Sequence, residues 1–189
     1  MTLVGIIIIV TLAMVFIFFL SVLLIYNKFI KSRLRVEEAW STIAVQLKRR
    51  ADLVPNLVET VKGYAAHEQD TLTDVIHARS MIQDAHGPIQ TAEADNILTQ
   101  ALGRLFAIAE SYPQLKASEN FILLQKDLYD IEEKIAYARQ FYNRNVLDFN
   151  TQINLFPQSI IAAIFRFEPK VFFESDETQA NVGISFRKP

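Results

Sequence analysis

The sequence predicts an all-α protein: an N-terminal transmembrane helix followed by an elongated antiparallel bundle of three long helices and a short fourth. Three observations carry this expectation. Residues Leu3–Tyr26 hold no charged side chain. The remainder carries apolar residues at alternating three- and four-residue spacing, which marks helices that bury one stripe. Only 5 Gly and 6 Pro occur in 189 residues, so the chain offers few helix breaks.

Leu3–Tyr26 (LVGIIIIVTLAMVFIFFLSVLLIY) would measure about 36 Å as a helix, enough to cross a hydrocarbon core of about 30 Å with some tilt. A cleaved signal peptide would need a basic leading segment, a shorter apolar run and an A-x-A-like site, none of which is present. Gly5 is the sole glycine of the span, so there is no G-x-x-x-G seam for pairing two such helices. Lys28, Lys31, Arg33 and Arg35 come directly after it. By the positive-inside bias they place the rest of the chain in the cytoplasm and the amino terminus outside. As a membrane-proximal basic set, each could attract anionic headgroups by about 1 kcal/mol.

The first bundle helix is organised around Val36–Glu68. Val36, Trp40, Ile43, Leu47, Ala51, Val54, Val58, Val61 and Ala65 form one stripe with a single phase slip, beside Asp52 and Pro55. The slip predicts a kink, with Asp52 capping a restarted helix and Pro55 in its first turn. No Gly or Pro separates Tyr26 from Val36, so the membrane helix is expected to run on into this one. A weaker pattern continues through Leu72, Val75, Ile76 and Ile82 to Asp84, where His86-Gly87-Pro88 signals a turn.

A second helix is expected from Thr91, with Leu98, Ala101, Leu105, Ile108 and Tyr112 on its stripe. The third starts after Ser118, a good N-cap, and carries Phe121, Leu124, Leu128, Ile131, Ile135, Ala138 and Tyr142 in strict heptad alternation. Phe156-Pro157 ends it near Leu155. Ser159–Phe165 (SIIAAIF) reads as the short fourth helix. The division is thus an anchor over 1–27, a cytoplasmic helical bundle over 28–167, and a tail over 168–189 expected to be loose.

Composition excludes more than it assigns. Net charge is −2 with pI near 5.9, without the basic footprint that nucleic acid requires. With no cysteine there is neither a disulfide framework nor thiolate chemistry. His67-Glu68 lacks the second histidine one turn on that a zinc H-E-x-x-H needs, and neither an E-x-x-H nor a phosphate-binding glycine loop occurs. No catalytic, cofactor or metal residue is therefore nominated, and the expectation is of no cofactor and no enzyme. Lys48-Arg49-Arg50 reads as a solvated, ion-paired helix face, and Trp40 as core. Asn143, Asn145, Asn150 and Asn154 need partners in a helix interior. They would either bond the first helix and fix register or line a protein-binding face.

Arg35–Glu68 (RVEEAWSTIAVQLKRRADLVPNLVETVKGYAAHE), Leu105–Leu124 (LFAIAESYPQLKASENFILL) and Ala138–Ala162 (ARQFYNRNVLDFNTQINLFPQSIIA) resemble the LemA family. The resemblance covers about Lys28–Phe165 and not Val171–Pro189. Phe149 stands where family members commonly carry tyrosine before Asn150. The resemblance implies an N-terminally anchored helical bundle facing the bacterial cytoplasm, linked to membrane organisation and quality control, and implies no catalytic activity.

The expected function is a membrane-anchored, non-enzymatic scaffold that self-associates at the cytoplasmic face of the inner membrane. The alternative is a regulatory adaptor of a membrane protease or transporter. If three long helices leave, return and leave again, Ile160, Ile161, Ile164 and Phe165 lie at the end distal from the membrane. With Asn143 and Asn150 they are the candidate interaction residues.

Overall fold

The computed structural model describes residues 3–173. Among them the elements are all helices: α1 Leu3–Lys62, α2 Gln69–Asp84, α3 Gly87–Ala109, α4 Pro113–Lys116, α5 Glu119–Asn154 and α6 Gln158–Ile164. The chain divides into two compact units. Among the described residues these are 3–38 with 144–170, and 39–143 with 171–173.

In the first unit the apolar opening of α1 is not buried against the other described residues: its hydrophobic side chains from Leu3 to Leu24 are largely exposed. Burial begins at Phe29, whose ring stacks on Phe167 at 4.9 Å and meets Phe149 edge-on at 6.5 Å. Val36, Val146, Phe149, Ile161 and Ala162 are buried in the same unit. Phe149 is therefore core, in a place where a phenol oxygen would need a partner.

In the second unit α2 and α3 pack together. Val54, Leu57, Val58 and Val61 of α1 join Leu72 and Val75 of α2, Leu98, Leu102 and Leu105 of α3, and Phe121 and Leu128 of α5 in one core. Apart from Leu57 and Leu102, these belong to the stripes expected from spacing.

Two expectations for α1 need correction. The helix passes through Asp52 and Pro55 unbroken, so Asp52 starts no new helix. Proline lacks an N–H, which strips the Ala51 carbonyl one turn back of its partner. Arg79 of α2 supplies the replacement, donating Nε–H to that oxygen at 3.0 Å. Ala51 is buried, so an unpaired carbonyl there would be costly. The second correction is a break at 63–68, where the weakened pattern predicts continuation to Asp84. Gly63 is a poor helix former, and the Tyr64 and Ala65 N–H groups both donate to the Val61 carbonyl, at 3.0 and 2.8 Å. Ala65 is thereby turned into the core. The Tyr112 hydroxyl beyond α3 donates to Glu68 at 3.1 Å. That bond, with burial second, raises the Tyr112 phenol above its ordinary pKa.

At the next reversal Gly87 adopts φ +76°, a left-handed conformation open to glycine, and Pro88 falls in the first turn of α3. The proline that stops α2 therefore starts α3, four residues earlier than Thr91. α5 begins directly after Ser118, as expected.

Replacing Arg79 by Met should orphan the Ala51 carbonyl and destabilise the protein by about 1–3 kcal/mol. In a Pro55→Ala background, where residue 55 regains its N–H, the same change should have little effect. Denaturant unfolding of the detergent-solubilised protein, followed by helical circular dichroism, measures both; equal losses in the two backgrounds would refute the assignment.

Candidate functional site

The most concentrated polar chemistry lies inside the second unit. Arg50 and Asp95 are buried, at 4% and 0% exposure. Arg50 Nη1 donates to Asp95 Oδ1 at 2.7 Å and to the Thr99 hydroxyl at 3.0 Å. Its Nη2 meets Glu132 Oε2 at 2.8 Å, and Arg139 pairs with the other oxygen of Asp95. Two positive and two negative charges are thus closed on each other across α1, α3 and α5. Burial draws the Arg50 guanidinium below its ordinary pKa, with Glu132 opposing. The solvated-face reading holds for Lys48 and Arg49, which are exposed, and is corrected for Arg50. A sign of this was available: Arg50 and Asp95 each fall three residues from a stripe leucine, Leu47 and Leu98.

Phe173 closes the same unit. The Arg139 guanidinium lies over its ring at 5.1 Å, a cation–π contact. Trp40 stands 5.7 Å from Tyr142 and 6.2 Å from Phe173. The Tyr142 hydroxyl donates to the Val171 carbonyl at 2.8 Å, and burial raises its pKa above the ordinary value. Asn143 clasps the backbone of Phe173, its Nδ2 donating to the carbonyl at 2.9 Å and its Oδ1 accepting the N–H at 2.8 Å.

In the first unit Asn150 does the same to Lys170, at 2.8 Å in both directions. The side-chain amides of Asn143 and Asn150 are therefore spent on this chain's own C-terminal segment. The start of the expected loose tail is held at Lys170, Val171 and Phe173; residues 174–189 lie outside the described residues.

The basic set stands on α1 just after the apolar stretch. Lys28, Lys31 and Arg35 are exposed, and Arg33 pairs loosely with Glu37 one turn on, at 3.7 Å. Of the four apolar candidates, Ile161 is buried, while Ile160, Ile164 and Phe165 are exposed. Their expected position is corrected. Phe165 and Phe167 lie 4.9 and 5.9 Å from Tyr26, the last residue of the apolar stretch. The short helix lies beside the end of the apolar stretch, not far from it.

A cavity of about 440 Å³ in the second unit is lined by residues that include Trp40, Leu47, Lys48, Asp52, Ile82 and His86. Among the described residues no group of three His, Asp or Glu side chains could hold a metal ion together.

The model of the LemA family matches residues 39–186 of this chain. The match starts later than the resemblance read from sequence and extends beyond Phe165, across the segment that Asn143 and Asn150 hold. Among relatives, magnetosome protein MamQ of Magnetospirillum gryphiswaldense is 26% identical over 82% of this chain and 67% of its own length. Magnetosome protein MamQ 2 of Paramagnetospirillum magneticum is 25% identical, over 83% of this chain and 67% of its own. Protein LemA of Metamycoplasma hominis is 24% identical, over 81% and 70%.

Asp95→Leu should remove the carboxylate that Arg50 and Arg139 share, leaving Glu132 alone to face Arg50, and cost about 3–5 kcal/mol. Adding Arg50→Met and Arg139→Met should recover much of that loss, because Glu132 is 37% exposed and can be solvated. Thermal unfolding of the single and triple variants compares them. Separately, Asn143→Asp replaces the donor to the Phe173 carbonyl by an acceptor. Phe173 should then leave Trp40, and fluorescence of this single tryptophan should shift to the red; an unmoved spectrum would mean that the clasp does not hold Phe173.

Proposed function

We propose that this chain, which belongs to the LemA family, is a membrane-anchored, non-enzymatic scaffold that assembles with copies of itself at the cytoplasmic face of the bacterial inner membrane. The carrying observation is the opening of α1. From Leu3 to Leu24 its large apolar side chains are largely exposed, not buried by the other described residues. Withdrawing each such side chain from water is worth about 1.5–3 kcal/mol, and a bilayer is the surrounding that supplies this along a helix of that length. Lys28, Lys31 and Arg35, exposed immediately beyond, support a cytoplasmic placement for the helices on their C-terminal side.

The non-enzymatic reading draws support from how the buried charges are used. Arg50, Asp95, Glu132 and Arg139 are engaged with one another, as a structural ionic cluster is. Self-assembly is favoured by α5, where Tyr129 and Tyr137 stand 65% and 72% exposed. They are about two turns apart on one face, and exposed aromatics are enriched where proteins meet.

Detergent-corrected light scattering of the full-length protein tests the assembly. A discrete particle of several copies is expected, dissociating on Tyr137→Glu. A single copy would overturn self-assembly and favour the adaptor, with one chain docked on a membrane protease or transporter that crosslinking in membranes would capture.

A further inference from the structure

Residues 155–165 (LFPQSIIAAIF) contain no charge, and seven of them form α6. Ile161 and Ala162 face inward and are buried, whereas Leu155, Phe156, Ile160, Ile164 and Phe165 are 51%, 82%, 53%, 68% and 48% exposed. A helix on a water-facing surface keeps a polar outer face. The outer face of α6 is Ile160, Ala163 and Ile164, so it is apolar on both sides. Exposed apolar surface of this kind marks an interaction site.

We infer that α6, with Leu155 and Phe156, lies in the interfacial layer of the bilayer beside α1, as a second membrane contact. The inference rests on reading Leu3–Tyr26 as a membrane anchor. Lipid is the occupant because the two apolar surfaces are continuous. Phe165 packs on Tyr26 at 4.9 Å, and Tyr26 closes the uncharged stretch at the depth where aromatic rings gather. Charges resume on both segments at that level, with Lys28 after Tyr26 and the exposed Arg166 after Phe165. Both are long cations able to reach headgroups while their stems lie on apolar surface.

Seven residues are too few to span, so α6 lies in the plane of the interface, roughly 5–10 Å deep at the headgroup boundary. The consequence is orientational. A lone helix can turn freely about the membrane normal, while a second contact at one side of Tyr26 fixes which face of its unit meets the bilayer.

The chain has no cysteine, so Ile160→Cys and Ile164→Cys each provide one labelling site at an exposed position. Each full-length variant, carrying a small fluorophore, is reconstituted in vesicles of phosphatidylethanolamine and phosphatidylglycerol. Quenching is read with nitroxide-bearing lipid and with aqueous iodide. Phe16→Cys serves as the reference for the anchor and Gln114→Cys as the reference for water. Labels at 160 and 164 should be quenched several-fold more strongly by lipid than the Gln114 label, and shielded from iodide. With the Phe16 label quenched by lipid, iodide access at 160 and 164 equal to that at 114 would overturn the inference. Shielding from both quenchers would also overturn it, showing a second copy or another protein on this face. Failure of lipid to quench the Phe16 label would defeat the anchor reading itself.

Discussion

Asp95 has no access to water, and the second unit is arranged so that this carboxylate is never without a cation. Arg50 holds one oxygen and Arg139 the other, while Glu132 and Thr99 occupy the remaining reach of Arg50. Replacing such a cluster by well-packed apolar residues is often neutral or stabilising, so its use is not simply strength. It supplies register. Heptad stripes are self-similar, and a slide of one helix by a turn, about 5.4 Å, would leave leucines opposite leucines. The same slide would put a buried arginine opposite nothing. Three helices contribute to the cluster, so all three are fixed by it.

The provision of a side-chain partner to a buried polar group also accounts for features that look unrelated. Pro55 can sit inside α1 because Arg79 takes over the Ala51 carbonyl. The extended residues Lys170 and Phe173 make no helix bonds, and the amides of Asn150 and Asn143 stand in for the missing ladder. In each of these cases a side chain substitutes for a backbone partner. Phe173 then joins this arrangement to the charged one, with its ring under Arg139 and its backbone in the grip of Asn143.

Much of the helical fold was legible in the sequence because its signals are periodic. The stripes through Ile43–Val61 and Leu98–Leu105 are buried as their spacing required, and that through Phe121–Tyr142 is buried except at the half-buried Leu124 and Ile131. The break at 63–68 was not, because Val61 and Ala65 keep the helical spacing across it and one glycine costs a helix only about 1 kcal/mol. The placement of α6 beside Tyr26 was not legible either, because a contact between distant aromatic residues leaves no local pattern. The charged cluster was half legible. Its members sit at stripe spacing, but the sequence does not say which charge meets which. The asparagines announced a need for partners without naming them, because an amide satisfied by a distant backbone leaves no local pattern.

The contacts around Tyr26 and Phe29 differ in kind from those around Arg50. Around Tyr26 and Phe29 the contacts are between aromatic rings, Phe149, Phe165 and Phe167. Around Arg50 they are ionic and aliphatic. Near a bilayer the aqueous driving force for apolar contact fades, because lipid is as apolar as leucine, and packing itself must supply the attraction. Rings retain edge and face interactions worth about 0.5–1.5 kcal/mol beyond area burial, and they tolerate a boundary that is wet on one side. A buried arginine pair at that level would instead depend on how much water and how many headgroups surrounded it. Phe149 fits the aromatic set: it presents to Phe29 a fully apolar ring that needs no hydrogen-bond partner.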